Sequence, residues 1–196
     1  MTISLTHEAP NDGEVIALTR AWLEHVVIGL NLCPFAEPVY RHQQVAFQVS
    51  RASNETDLMN DLIEAIDGLM NADPEKTDTT LLIHPQALLN FEDYNKFVGW
   101  AEDFLEESGL EADVQIASFH PDYCFAGTDA NDITHNTNRS PFPMLHLLRE
   151  ASVDAALDAL PDAAQLVEKN LDTLRDLGKE GWDALIQRMH HAAKSN

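Results

Sequence analysis

The sequence predicts an α/β fold: a small, mostly parallel sheet of about three to four strands flanked by helices, with extra helices at the C-terminus. Three observations carry this. Segments 44–50, 79–84 and 112–119 are short and apolar or alternating, the pattern of strands. The stretches between them, 55–71 and 88–108, carry apolar residues at helical spacing. Strand, helix, strand, helix, strand implies parallel strands joined by right-handed crossovers.

The elements follow in order. Residues 1–11 are polar and read as a loose arm. Asp12 is placed to cap a helix carrying Val15, Leu18, Trp22, Val26 and Gly29, which should stop before Pro34. Residues 35–43 are a connection. Val45, Phe47 and Val49 alternate with Ala46, Gln48 and Ser50, a strand. Ser53 and Asn54 precede the clearest amphipathic helix, with Leu58, Leu62, Ile66 and Leu69 on its apolar stripe. Thr80 to His84 is nearly continuous in apolar residues, as in a buried strand. Phe91, Tyr94, Phe97, Ala101 and Leu105 mark the next helix, which Gly109 should end. The third strand runs to Phe119. Residues 120–139 form a long polar loop with Tyr123, Phe125 and Ile133 to anchor it. Ser140-Pro141 reads as a helix start, Ser at the cap and Pro in the first turn, carrying Met144, Leu145, Leu147 and Leu148. Ser152 begins a short helix ending near Leu160, Pro161 opens another, and Gly178 and Gly181 break it. The length of 196 residues fits one domain, 1–196, in which 161–196 is a helical addition.

Thirty-three acidic residues against twelve basic ones leave a formal charge of −21. Such a chain repels phosphate backbones and anionic bilayers, so neither nucleic acid nor membrane is an expected partner. The plainer reading of the charge is a solvated acidic coat. Two cysteines, the absence of a signal-like N-terminus and the absence of a long apolar run make cytoplasmic residence the expectation. There is no GxGxxG, P-loop or GxSxG, and no cofactor is expected.

Candidate chemistry gathers at one edge. Two strands end in the same dipeptide, His84-Pro85 and His120-Pro121, and the first ends near Arg51. If the strands are parallel, Arg51, His84 and His120 share the carboxyl edge, where open α/β sheets bind ligands. The competing structural reading is that Pro simply ends each strand. Beyond it, Asn138 and Arg139 precede Ser140, and a helix starting there would present free backbone amides beside a guanidinium, an anion site. The competing reading is a capped helix whose Arg139 pairs with an acid. On the same helix His146, Arg149 and Glu150 would share a face, so Arg149 could add a second cation and Glu150 could orient His146. Cys33, in Leu32-Cys33-Pro34, is either a buried inert thiol or a nucleophile. Zinc assembled from Cys33 or Cys124 with His120, His135 and His146 has no close ligand pair behind it, so no metal site is expected.

The motifs LNLCPFA (30–36), FHPDYCFAGT (119–128) and TNRSPFPMLHLLRE (137–150) resemble a bacterial family catalogued as domain of unknown function fourteen-fifteen. The resemblance runs from about Ala21 to Ala159. It implies no established activity, cofactor or catalytic residue. In the family pattern the position of Cys124 is often Gln and that of Phe142 often Tyr, which gives neither side chain a general role.

The leading expectation is an enzyme acting on a small anionic metabolite at the carboxyl edge. Asn138, Arg139 and the amides after Ser140 would hold the anion, with Arg51, His84, His146 and Arg149 nearby. His120 and Asp122 would do acid/base work, and Cys33 is a possible nucleophile. A non-catalytic protein binding a small anion or a partner's carboxylate is the second reading, and a metal-dependent hydrolase using His120, His135 and His146 the third.

Overall fold

The computed structural model describes residues 10–159 and 165–194. Residues 1–9 of the arm expected over 1–11, and the helix start expected at Pro161, lie outside the described residues.

Helix α1 (Asp12–Trp22) is capped by Asn11, not Asp12: the Asn11 side chain accepts the Glu14 N–H at 3.1 Å, and the Glu14 carboxylate accepts the Asn11 N–H at 2.9 Å. It continues as a π-helical segment, Leu23–Ile28, which turns Leu23, Val26 and Val27 inward. A short helix α2 (Ala36–Arg41) occupies what the sequence presented as a plain connection. Strand β1 (Val45–Val49), helix α3 (Glu55–Asn71), strand β2 (Thr79–Ile83), helix α4 (Phe91–Ser108) and strand β3 (Val114–Phe119) follow as the sequence predicts. Asn54 caps α3 and Asn90 caps α4, and Gly109 ends α4 at φ 68°.

The expectation fails at Ser140-Pro141. No helix starts there; Met144–Arg149 is strand β4. Helix α5 (Glu150–Asp158) and helix α6 (Leu166–Ala193, broken at Gly178) complete the described chain.

The sheet order is β1-β2-β4-β3. β1 pairs parallel with β2, while β4 pairs antiparallel with both β2 and β3. The class is α/β, but the sheet is mostly antiparallel by pairing. Because β2 and β3 both oppose β4, the three predicted strands still point one way. The α4 crossover skips a position, and β4 fills it from the opposite direction.

Helices α3 and α4 cover one face, packing Leu58, Leu62, Tyr94 and Phe97 on Leu82, Leu145 and Leu147. On the other, α1, the π segment and α6 pack Val15, Trp22, Val26, Leu185 and Met189 on Leu81, Ile83 and Met144. Thus α6 is not an appendage: it closes the second core. No described helix is long and apolar enough to cross a membrane.

Candidate functional site: a cleft at the carboxyl edge

Shared strand direction does bring Arg51, His84 and His120 to one edge, yet each is committed to the fold. The Arg51 guanidinium pairs with the Asp12 carboxylate and donates to the Pro10 carbonyl at 3.0 Å, tying down the start of α1. His84 is fully buried, and its Nδ1 lies 3.0 Å from the Ala87 carbonyl, which a ring N–H must satisfy. His120 is also fully buried. Its Nδ1 accepts the Asp122 N–H at 3.0 Å, so Nε2 carries the proton and donates to the Leu88 carbonyl at 3.1 Å. Neither nitrogen of His120 is left to abstract a proton. Burial holds His120 below the ordinary histidine range, against the opposing pull of the Leu88 carbonyl and the Asp122 charge, and drives His84 down to about 4. Asp122 itself is exposed.

Replacing the helix by a strand relocates the rest. His146 sits mid-sheet, paired with Leu81 and Ala117, far from any helical partnership with Glu150. Thr79 Oγ1 donates to the Leu147 carbonyl at 2.6 Å, so His146 Nε2, also 2.6 Å away, must donate to that hydroxyl. Burial lowers the His146 pKa to about 4. Arg149 lies at the opposite sheet edge, its Nη2 on the Leu69, Ala72 and Thr77 carbonyls. Asn138 fastens the long loop to β3 by donating to the Ser118 carbonyl at 3.2 Å. Ser140 Oγ donates to the Phe142 carbonyl at 2.6 Å rather than capping a helix. Cys33 is half-buried, and burial pushes its thiol up, the opposite of nucleophile activation.

Of the residues named for zinc, the loop 120–139 brings two together: Cys124 Sγ lies 3.6 Å from His135 Nε2. The His135 Nδ1 accepts the Phe125 N–H at 3.3 Å, so Nε2 is protonated and donates to the Asp129 carbonyl at 2.8 Å. The ring offers the thiol no base. The three histidines of the metal reading are thus engaged separately, and no group of three or more His, Cys, Asp or Glu that could hold a metal occurs among the described residues.

The edge does hold a cleft of about 330 Å³, on the α1/α6 face of the sheet. Leu18 and Trp22 of α1 form one wall, and Trp182, Ile186, Met189 and His190 of α6 another. Pro121, Asn136, Arg139, Ser140 and Pro141, from the connection between β3 and β4, form the third. Only Arg139 and Ser140 of the expected site residues are here. Trp22 Nε1 donates to the Arg139 carbonyl at 3.0 Å and fixes that wall to α1. Arg139 donates from Nε to the Tyr123 carbonyl at 3.0 Å, with a longer 3.5 Å contact from Nη2 to the Ala130 carbonyl. No carboxylate pairs with it among the described residues. Asn136 is only 6% exposed, and its side-chain amide has no hydrogen-bond partner among them. Sequence reasoning missed Asn136 and the tryptophans because nothing local connects α1, the loop and α6.

Fold and cleft together define a three-layer α/β protein with a small-molecule-sized cleft beside the carboxyl ends of β2 and β3. Residues 14–184 match the model of the family described as Protein of unknown function (DUF1415), and the chain belongs to that family. Comparison with curated proteins and with solved structures yields no match.

Proposed function

We propose that this protein binds a small organic anion in the cleft, held by Arg139. The observation that carries this reading is the guanidinium itself. Arg139 stands in a cleft wall without a carboxylate partner, in a chain of net charge −21. A fork of five donors, only partly engaged by carbonyls, matches a carboxylate or phosphate bidentately. Binding is favoured over catalysis because the expected acid/base and nucleophilic groups are elsewhere: His120 has both nitrogens engaged, and Cys33 and His146 do not line the cleft. The acidic surface opposes nucleic acid and anionic membrane as partners. Two unbridged cysteines suit the cytoplasm.

Thermal denaturation with a panel of small carboxylates and phosphate esters tests this. A ligand at ~100 times its Kd adds about 2.7 kcal/mol of stability. Arg139→Lys keeps the charge but loses the fork, and should weaken binding of any hit by about tenfold to a hundredfold, the equivalent of a charge-assisted bond of roughly 1.5–3 kcal/mol. Unchanged affinity in that variant, measured by calorimetry, would sink the reading, whatever happens to its melting temperature.

A further inference from the structure

We propose that the ligand class is a small aromatic monocarboxylate, its ring against the two tryptophans and its single charge on Arg139; this rests on the anion-binding reading above. The argument is one of matching. At about 330 Å³ the cleft is near the lower end of ligand sites, which span roughly 300–1,000 Å³, so the ligand is compact. Its long walls are apolar: Leu18 and Trp22 face the helix α6 side chains Trp182, Ile186 and Met189 across it. Because the Trp22 indole N–H is committed to the Arg139 carbonyl, Trp22 offers the ligand only its ring. Trp22 is only 3% exposed and already packs edge-on against Phe119, so it presents an edge of its ring, and Trp182, on α6, is the more open of the two. An acetate-sized anion would leave this apolar lining uncovered, whereas an aromatic body covers it at little entropic cost.

The charge count sets the head group. Arg139 is the one permanent cation in the wall among the described residues, and it already gives Nε to the Tyr123 carbonyl. One guanidinium balances one carboxylate. A diphosphate brings several negative charges into a chain of −21, with no second permanent cation among the described lining residues to meet them. The second polar anchor is Asn136. Its side-chain amide has no partner among the described residues and lines the cleft, so it is available to a carboxylate oxygen or a ring substituent.

The cleft reports on itself. The chain has three tryptophans, and two of them, Trp22 and Trp182, line the wall; Trp100 is on α4 and exposed. In a Trp100→Phe background, fluorescence therefore reads the cleft alone. Benzoate, phenylacetate and 3-phenylpropionate are titrated beside phenylacetamide, acetate and inorganic phosphate. At least one aromatic acid is expected to bind ten times more tightly than both its uncharged amide analogue and acetate, and Asn136→Ala should lose about tenfold of that affinity. Binding of phosphate or acetate with no aromatic acid binding would overturn this ligand class and leave anion binding standing. Equal binding of phenylacetamide and phenylacetate, or no binding by any of the six probes up to millimolar concentration, would overturn both.

Discussion

His84 and His120 hold successive carbonyls of one loop: His84 Nδ1 lies 3.0 Å from the Ala87 oxygen and His120 Nε2 lies 3.1 Å from the Leu88 oxygen. Leu88 sits at φ 54°, in the left-handed region that a branched side chain avoids. The two His-Pro strand exits are therefore a pair of latches that hold the strained turn between β2 and α4. The rings of His84 and His120 lie 5.8 and 5.0 Å from the Tyr94 ring, inside the α4 layer.

These latches predict a pH dependence. Protonating His120 turns its Nδ1 from acceptor to donor against the Asp122 N–H, and protonating His84 puts a charge on a ring whose Nε2 is buried without a partner among the described residues. His84 and His146 are held near 4, and His120 is lowered too, while in the unfolded chain each titrates near ~6.5. The unfolded state then binds more protons through this window. Stability should be fully present above ~6.5 and fall as pH drops toward 4, by roughly 3 kcal/mol for His84 alone. Urea midpoints between pH 7.5 and 4 measure this. Ring nitrogen shifts at pH 5.5 should show His84 and His146 neutral. An imidazolium signal from His84 at that pH would refute the latch.

The edge itself was legible because three strands with helical crossovers must point one way. What lay beyond the sequence was β4. Met144, Leu145, Leu147 and Leu148 repeat at one, three and four residues, which is a helical pattern, and Ser-Pro precedes them. Yet β4 is an interior strand with a layer on each face, so its residues need not alternate in polarity, and periodicity could not separate it from a helix. The arrangements drawn from a helix there, the amides after Ser140 and the face shared by His146, Arg149 and Glu150, lost their structural basis with it. Arg139 reached the cleft for a reason that the helix did not supply, its place in the β3–β4 connection.

Arg149 should prove to be a stability residue. Its Nη2 stands on the last carbonyls of α3, Leu69 at 2.5 Å and Ala72 at 2.9 Å, and on Thr77 at 3.2 Å, where a cation also meets the negative end of the helix. Arg149→Met keeps the stem and removes the donors. A loss of about 1.5–3 kcal/mol follows, roughly 3–12 °C in Tm for a chain of this length. Affinity for any cleft ligand should be unchanged, because Arg149 is five residues along β4 from Met144, about 17 Å at strand rise. An affinity loss at unchanged Tm would return Arg149 to the binding site.

Gly178 divides α6. It sits at φ 64° and ψ 173°, a region open in practice only to glycine, and every α6 residue in the cleft wall follows it. A Cβ there would touch nothing within 4 Å, so Gly178→Ala tests backbone strain without a clash. A penalty of about 1–3 kcal/mol is expected. Amide exchange should quicken in 179–193, where the helix must redock, more than in 166–177. Equal protection in both halves would show that α6 does not need this break.

Tyr94 offers the sharpest test of how the carboxyl edge is built. Phe119 and Met144 are opposite each other in the β3–β4 ladder, and the fully buried Tyr94 hydroxyl engages both: it accepts the Phe119 N–H at 2.9 Å and donates to the Met144 carbonyl at 2.8 Å. One hydroxyl from α4 thus closes the last rung of the sheet, immediately before the connection that supplies Arg139. Tyr94→Phe removes the oxygen and almost no volume, so packing against His84, Phe91 and His120 survives. What remains is a donor and an acceptor with their partner gone, at a cost of about 1–3 kcal/mol for each that cannot reach water. Chemical denaturation should therefore find the variant less stable by at least about 1 kcal/mol with an unchanged m-value, since the surface exposed on unfolding is the same. The Phe119 amide should exchange faster than that of Ile116, which lies deeper in the strand. A variant as stable as the parent, with Phe119 still protected, would mean that the rung closes without Tyr94 and that α4 merely covers the sheet.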